Sequence, residues 1–138
     1  MRVLVVEDEA LIAMSIVADL EHSGHEVVGV ARSYAEAQAL ASSGHPAVAL
    51  VDIDLQRPAE GLDVVRVLKS TYDVPALFVT GQIEVAREHA DLALGVIRKP
   101  FHTEDIVLGL TLVERLKSGI PIARDSVPRA IELFGPLI

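Results

Sequence analysis

The chain contains no cysteine and no tryptophan. Without cysteine there is no disulfide framework, no thiolate metal site and no cysteine nucleophile. Aromatic residues make up 4% of the 138 residues, against 51% hydrophobic residues in all. Val, Leu, Ile and Ala must therefore build the core, and their mixture of β-branched and unbranched side chains favours a protein of strands and helices together. Basic residues are scarce as well: 12 Lys and Arg stand against 20 Asp and Glu, a formal net charge of −8. That balance opposes sequence-independent binding to nucleic acid, which depends on basic side chains neutralising phosphates. Long apolar runs are missing too. Val3–Val6 is cut off by Glu7-Asp8-Glu9, too soon for a secretory segment, and no other run approaches a bilayer span. The expectation is a soluble, cytoplasmic, single-core protein with neither a membrane nor a nucleic acid as partner.

What is present is an alternation. Short apolar runs at Val3–Val6, Glu26–Ala31, Ala47–Val51, Ala76–Val79 and Gly95–Arg98 read as strands, bounded by turn residues and by segments with helical periodicity. Ile12, Ile16 and Leu20 mark one helix, which stops at Ser23-Gly24. Ser33 with Glu36 reads as a capping box opening a second, ending near Gly44. Leu62–Ser70, a weaker segment about Glu84–Asp91, and a helix capped by Thr103 and running to Ser118 complete the series. A strand–helix alternation of this kind predicts an α/β fold: a doubly wound parallel sheet of five βα units, flavodoxin-like, with strand order 2-1-3-4-5. Residues 1–118 form that unit, and 119–138 form a tail punctuated by Pro121, Pro128 and Pro136. Val127, Ala130, Ile131 and Phe134 sit at helical spacing, which predicts one short helix over Pro128–Phe134. A helix of that length needs support. The surface around the fifth strand and fifth helix offers it, in the same chain or in a partner chain of a homodimer.

Ligands of open α/β sheets bind beyond the carboxyl ends of the strands. There the chain places Glu7 and Asp8 after the first strand, Asp52 and Asp54 at the third, Thr80 at the fourth and Lys99 at the fifth. The second strand delivers Ala31-Arg32, with no matching role. Clustered carboxylates repel one another, and a hard divalent cation such as Mg2+ relieves that repulsion. A carboxylate in such a pocket can attack phosphorus and become an acyl phosphate, while a hydroxyl and an ammonium suit the phosphoryl oxygens. Each group also has an ordinary reading. Acidic residues favour a helix N-terminus, Thr80 can end a strand and Lys99 can be a surface lysine. Asp52 resists this, because a carboxylate closing an apolar run is costly to bury unpaired. Asp54 and Asp63 read as solvent-facing or backbone-contacting. The five histidines read as surface residues, and the three phenylalanines as packing residues.

Val3-Leu-Val-Val-Glu-Asp-Glu, Leu50-Val-Asp-Ile-Asp-Leu, Val79-Thr-Gly and Arg98-Lys-Pro-Phe together resemble the signature stretches of bacterial response-regulator receiver domains of the CheY-like type. The resemblance implies that Asp52 is the phosphoacceptor and that Glu7, Asp8, Asp52 and the main-chain carbonyl of Asp54 hold Mg2+. It further implies that Thr80 is the switch hydroxyl, that Lys99 pairs with the phosphate and that the Lys99–Pro100 peptide is cis. The chain departs from the pattern in three places. Val96 stands where the family usually has Tyr or Phe, the Thr80-to-Lys99 interval is shorter than usual, which implies a short or irregular fourth helix, and the Asp52-to-Gly61 loop is longer. With Phe78-Val-Thr-Gly, these features are similar to a group of single-domain receivers of alphaproteobacteria.

The resulting expectation is a stand-alone receiver without an output domain of its own. It would accept phosphoryl groups from a histidine kinase or a histidine phosphotransfer protein, catalyse only its own phosphorylation and dephosphorylation, and signal to a protein target. Two rivals remain. Asp52-Ile53-Asp54 matches the Asp-X-Asp of haloacid-dehalogenase-like Mg2+ phosphatases, although that motif belongs after a first strand and before Gly-Thr. A pseudo-receiver would keep the fold as an interaction module and never be phosphorylated.

Overall fold

In the computed structural model, which describes residues 1–135, a six-stranded sheet runs in the order β2-β1-β3-β4-β5-β6. Its strands are β1 (Arg2–Val6), β2 (Glu26–Ala31), β3 (Val48–Val51), β4 (Ala76–Thr80), β5 (Gly95–Arg98) and β6 (Ile131–Leu133). The first five are parallel, in the expected order 2-1-3-4-5, and β6 is antiparallel to β5. Helices α1 (Ala10–His22), α2 (Tyr34–Gly44), α3 (Glu60–Tyr72), α4 (Ile83–Glu88) and α5 (Thr103–Lys117) join the parallel strands or follow them.

The strand alternation sorts side chains into two cores. Leu4, Val6, Ala49, Val51, Phe78 and Val96 point to one face, where Ala37, Val64, Leu68 and Ala86 of α2, α3 and α4 cover them. Val3, Val5, Leu50, Leu77, Val79 and Ile97 point to the other, under Ile16 and Leu20 of α1 and Ile106, Leu110 and Val113 of α5. Burial on both faces is why β1, β3 and β4 read as unbroken apolar runs rather than alternating ones. Phe78 is fully buried, whereas Phe101 and Phe134 are half-buried at the margins of the two cores.

Helix starts follow their caps, with one shift. Ser33 Oγ accepts from the Glu36 amide at 3.3 Å, as the sequence requires. For α5 the cap is His102 rather than Thr103: the Asp105 carboxylate accepts from the His102 amide at 2.8 Å, which puts Thr103 inside the first turn. The short α4 agrees with the shortened Thr80-to-Lys99 interval. Ala59, ahead of α3, has φ 61°, a conformation that costs a residue with a Cβ about 1 kcal/mol. Ala59→Gly is therefore expected to raise stability, by ~1 kcal/mol at most after the added chain entropy. Denaturant unfolding measures it, and a loss of stability would show that no strain is stored there.

The tail differs from expectation. A 3-10 turn forms at Arg124–Ser126, and the segment expected to be helical becomes β6 instead. The reason lies in its second periodicity. Ile131 and Leu133 are both buried while Glu132 between them is half-exposed, the alternation of a strand with one covered face, and β5 presents an open edge to pair with. Ladder hydrogen bonds run from the Phe134 amide to the Leu94 carbonyl (2.9 Å) and from the Arg98 amide to the Ala130 carbonyl (2.8 Å). The site of packing is the expected one, beside Val96, which lies opposite Glu132. Pro136, expected as a punctuating residue, falls outside the described residues, as do 137 and 138.

Candidate functional site

The sheet ladder continues one residue past the strand ends and so fixes the polar groups there. The Glu7 amide donates to the Ala31 carbonyl (2.9 Å), the Asp52 amide to the Val6 carbonyl (3.0 Å) and the Lys99 amide to the Thr80 carbonyl (3.0 Å). Adjacent strands thereby bring Glu7, Asp8, Asp52, Thr80 and Lys99 to one edge. Carboxylate oxygens of Glu7, Asp8 and Asp52 lie within 4.8 Å of one another, spacing that lets three anionic ligands share one cation. Lys99 Nζ donates to Glu7 Oε1 at 2.7 Å and to Asp52 Oδ2 at 2.9 Å. The Lys99–Pro100 peptide is cis.

Burial sets the electrostatics. Glu7 is 2% exposed. Desolvation pushes its carboxyl above the usual carboxylate range, the hydrogen bond from Lys99 pulls it back, and the charge of Asp52 pushes it up again. Burial works against the Lys99 ammonium, but hydrogen bonds to Glu7 and Asp52 outweigh it and hold Lys99 above the ordinary lysine value. Burial thus disfavours the charged form of Glu7 in the folded protein. Such a group contributes stability below its unfolded value, near 4.5, and that contribution is lost as pH rises through the raised folded value. At neutral pH, Glu7→Gln is accordingly expected to raise the thermal midpoint of the metal-free protein. A lowered midpoint in a calorimetric scan would contradict the desolvation account.

Thr80 is buried, and its Oγ1 accepts from the Gln82 amide at 3.0 Å, leaving the hydroxyl proton available to another acceptor. Asp54 is exposed and is engaged through its side chain: Oδ1 accepts from the Ala59 amide at 2.8 Å and Oδ2 from the Gln82 side-chain amide. Asp63, also exposed, pairs with Arg66 at 3.1 Å. Neither carboxylate belongs to the three-residue cluster. Two histidines are half-buried rather than on the surface. His25 Nδ1 lies 2.9 Å from the terminal amine, and burial together with that charge lowers its pKa. His89 Nδ1 lies 2.9 Å from the Val85 carbonyl.

Three supporting residues had no role in the sequence reading. Arg32 donates to the Asp8 carbonyl at 3.3 Å. Gln82 bridges the loops after β3 and β4 through Asp54 and Thr80. Glu60 is 4% exposed. Its carboxylate accepts from the Tyr34 amide at 2.7 Å and the Arg57 amide at 3.1 Å, so it ties the loop after Asp52 to the start of α2. The Arg57 contact is local, three residues away, but the Tyr34 contact spans 26 residues and left no signal in the sequence.

Comparison with known proteins agrees with this arrangement. The response regulator receiver domain family matches residues 3–111. Phyllosphere-induced regulator PhyR of Methylorubrum extorquens is 41% identical over 108 residues, covering 76% of this chain and 40% of PhyR. Transcriptional regulatory protein PdtaR of Mycobacterium tuberculosis is 32% identical over 116 residues, covering 80% of this chain and 55% of PdtaR. The chain therefore spans roughly half the length of these curated relatives. Among solved structures, the signal receiver domain of a modulated diguanylate cyclase from Desulfovibrio desulfuricans superimposes with a TM-score of 0.76 at 28% identity, covering 85% of this chain and 95% of that one. No helix among the described residues is long and apolar enough to cross a membrane. With four site-bearing strand ends in the right order and a family match over most of its length, the chain belongs to the response regulator receiver domain family.

Proposed function

We propose that this chain is a phosphorylation switch that accepts a phosphoryl group on Asp52 from a phosphohistidine of a kinase or phosphotransfer protein in the cytoplasm, and signals through protein contacts. The observation that carries the reading is the pairing of the Asp52 carboxylate with Lys99 inside the cluster of Glu7, Asp8 and Asp52. A nucleophilic oxygen, a cation-holding pair of acids and a phosphate-binding ammonium stand together.

The donor set suits Mg2+, which takes one or two carboxylates and keeps water and a phosphate oxygen in its remaining positions. Glu7, Asp8, Asp52 and the Asp54 carbonyl would hold it, and bound there it would neutralise charge building on the phosphoryl oxygens. One Asp52 oxygen attacks phosphorus in line as the phosphorus–nitrogen bond of the donor breaks, and the leaving imidazole keeps that electron pair and takes up a proton. Lys99 exchanges its bond to Asp52 for one to a phosphoryl oxygen, and the Thr80 hydroxyl donates to another. Hydrolysis reverses the change with water as nucleophile, so the chain catalyses its own phosphorylation and dephosphorylation and no turnover of an external substrate.

Mass spectrometry after incubation with a small phosphodonor and Mg2+ tests this. The expected result is a single added phosphoryl group at Asp52 that disappears on standing. A protein that takes no label would be a pseudo-receiver, and one that hydrolyses an aryl phosphate with sustained turnover would be a phosphatase.

A further inference from the structure

The strand β6 lies at the far end of the sheet from β2, yet it is wired to the site. Its Ile131 and Leu133 join the core under α5, and Glu132, between them, meets α4 across the end of β5. The Glu132 carboxylate accepts from Arg87 Nε at 3.0 Å and Arg87 Nη2 at 2.8 Å, a two-pronged pairing. It also accepts from Arg98 Nη2 at 3.4 Å. Arg98 is anchored further to the segment that leads into β6 through its Nε, which donates to the Arg129 carbonyl at 3.2 Å. The hydrogen bond from Arg87, followed by the charges of Arg87 and Arg98, holds Glu132 below the usual carboxylate range despite partial burial.

The two arginines belong to the segments that carry or follow the two residues assigned to the phosphoryl oxygens. Arg98 directly precedes Lys99. Arg87 belongs to α4, which begins at Ile83, and the intervening Gln82 caps Thr80 Oγ1 with its amide and grips Asp54 with its side chain. A single carboxylate near the end of the chain thus braces both segments that must respond when Asp52 is modified. Lys99 bonds Asp52 Oδ2 itself. A phosphoryl group there would offer Lys99 and the Thr80 hydroxyl a new partner, and the segments beside both residues are ones that Glu132 holds.

We propose that Glu132 is a positioning residue for the Asp52 chemistry: by bridging Arg87 and Arg98 it holds α4 and the end of β5 in the arrangement in which Lys99 bonds the Asp52 carboxylate directly, so that β6 and the acyl phosphate oppose each other. This rests on Asp52 being the phosphoacceptor. Coupling of this kind is reciprocal. Loosening the bridge favours the modified state, and modification loosens β6. An ordinary surface ion pair would add a little stability and leave the site unaffected.

The test uses the 138-residue chain with beryllofluoride as the phosphoryl mimic at saturating Mg2+, its affinity read by fluorine NMR. Glu132→Gln and Arg87→Gln should each tighten beryllofluoride binding roughly two- to fivefold, the range open to a partly exposed ion pair. The double variant should go no further than Glu132→Gln alone, because that substitution already removes the Arg87 contact together with the Arg98 one. Mg2+ affinity without the mimic should not change, which a general loosening of the fold would not predict. In the wild type, beryllofluoride should speed hydrogen exchange at the Phe134 amide, which bonds the Leu94 carbonyl. Unchanged or weakened affinity in both single variants, additive effects in the double, or unchanged exchange at Phe134 would overturn the proposal. If the wild type binds beryllofluoride and the variants match it, the bridge alone is refuted. If the wild type binds none, the assignment of Asp52 falls with it.

Discussion

Asp52→Asn is expected to abolish acyl phosphate formation, whereas Asp54→Asn should retain most of it. The two aspartates lie two residues apart in one loop, and the structure separates them by what they touch. Asp52 sits in the cluster with Glu7 and Asp8 and is bonded by Lys99. Asp54 points its carboxylate away, to the Ala59 amide and the Gln82 side chain. An amide at position 52 keeps the shape but loses the carboxylate proposed as nucleophile and cation ligand, so labelling by a small phosphodonor should fall by at least about 100-fold, the scale on which loss of a reacting group is felt. Position 54 contributes its main-chain carbonyl to the proposed cation site, which Asn preserves. Its substitution should cost only a minor part of the labelling, through slacker loop packing. Peptide mapping of the phosphorylated chain decides the matter. Label at Asp54 or at a histidine would refute the mechanism, and so would a labelled Asp52→Asn protein.

The strand ends could be read in the sequence because a parallel sheet leaves few places for polar residues. Val3–Val6 and Val48–Val51 are buried on both faces, so the first charge after each run had to lie at a sheet end. The order 2-1-3-4-5 then put those ends side by side. Groups that act through distant partners left no such trace. Glu60 meets Tyr34 and Gln82 meets Asp54, across separations that carry no periodicity. The misread tail has a different cause. Ala130-Ile131-Glu132-Leu133-Phe134 satisfies a helical spacing and a strand alternation at once, and only the open edge of β5 decides between them. Gly95 held the unused clue: a Cβ there would lie 2.4 Å from the Glu132 carbonyl oxygen and 3.1 Å from Leu133 Cα, so the glycine makes room for a sixth strand. Val96 fits the same picture, fully buried within the core that half-buried Phe134 borders.

Gly61→Ala is expected to be the most damaging single change near the site that removes no functional group. Gly61 lies in the first turn of α3, and its amide donates to the Ile53 carbonyl at 2.7 Å. That bond draws the helix onto the backbone that carries Asp52. A Cβ at position 61 would stand 1.9 Å from the Asp52 carbonyl oxygen and 2.8 Å from both the Asp52 carbonyl carbon and Ile53 Cα. These are backbone atoms at the end of a central strand, so no rotamer change relieves the clash. Either α3 retreats, breaking the Gly61–Ile53 bond and loosening the Glu60 contacts to Tyr34 and Arg57, or the Asp52 peptide turns. The first route costs stability through lost packing and backbone hydrogen bonding, roughly 3 kcal/mol on the scale of overpacked cores, or about 10 °C in thermal midpoint for a chain of this size. The second misaims the Asp52 carboxylate and should slow phosphorylation at constant fold. Thermal unfolding and phosphodonor labelling on the same sample separate the two routes. A variant that keeps both its midpoint and its labelling rate would show that the contact between α3 and the end of β3 is slacker than these distances allow.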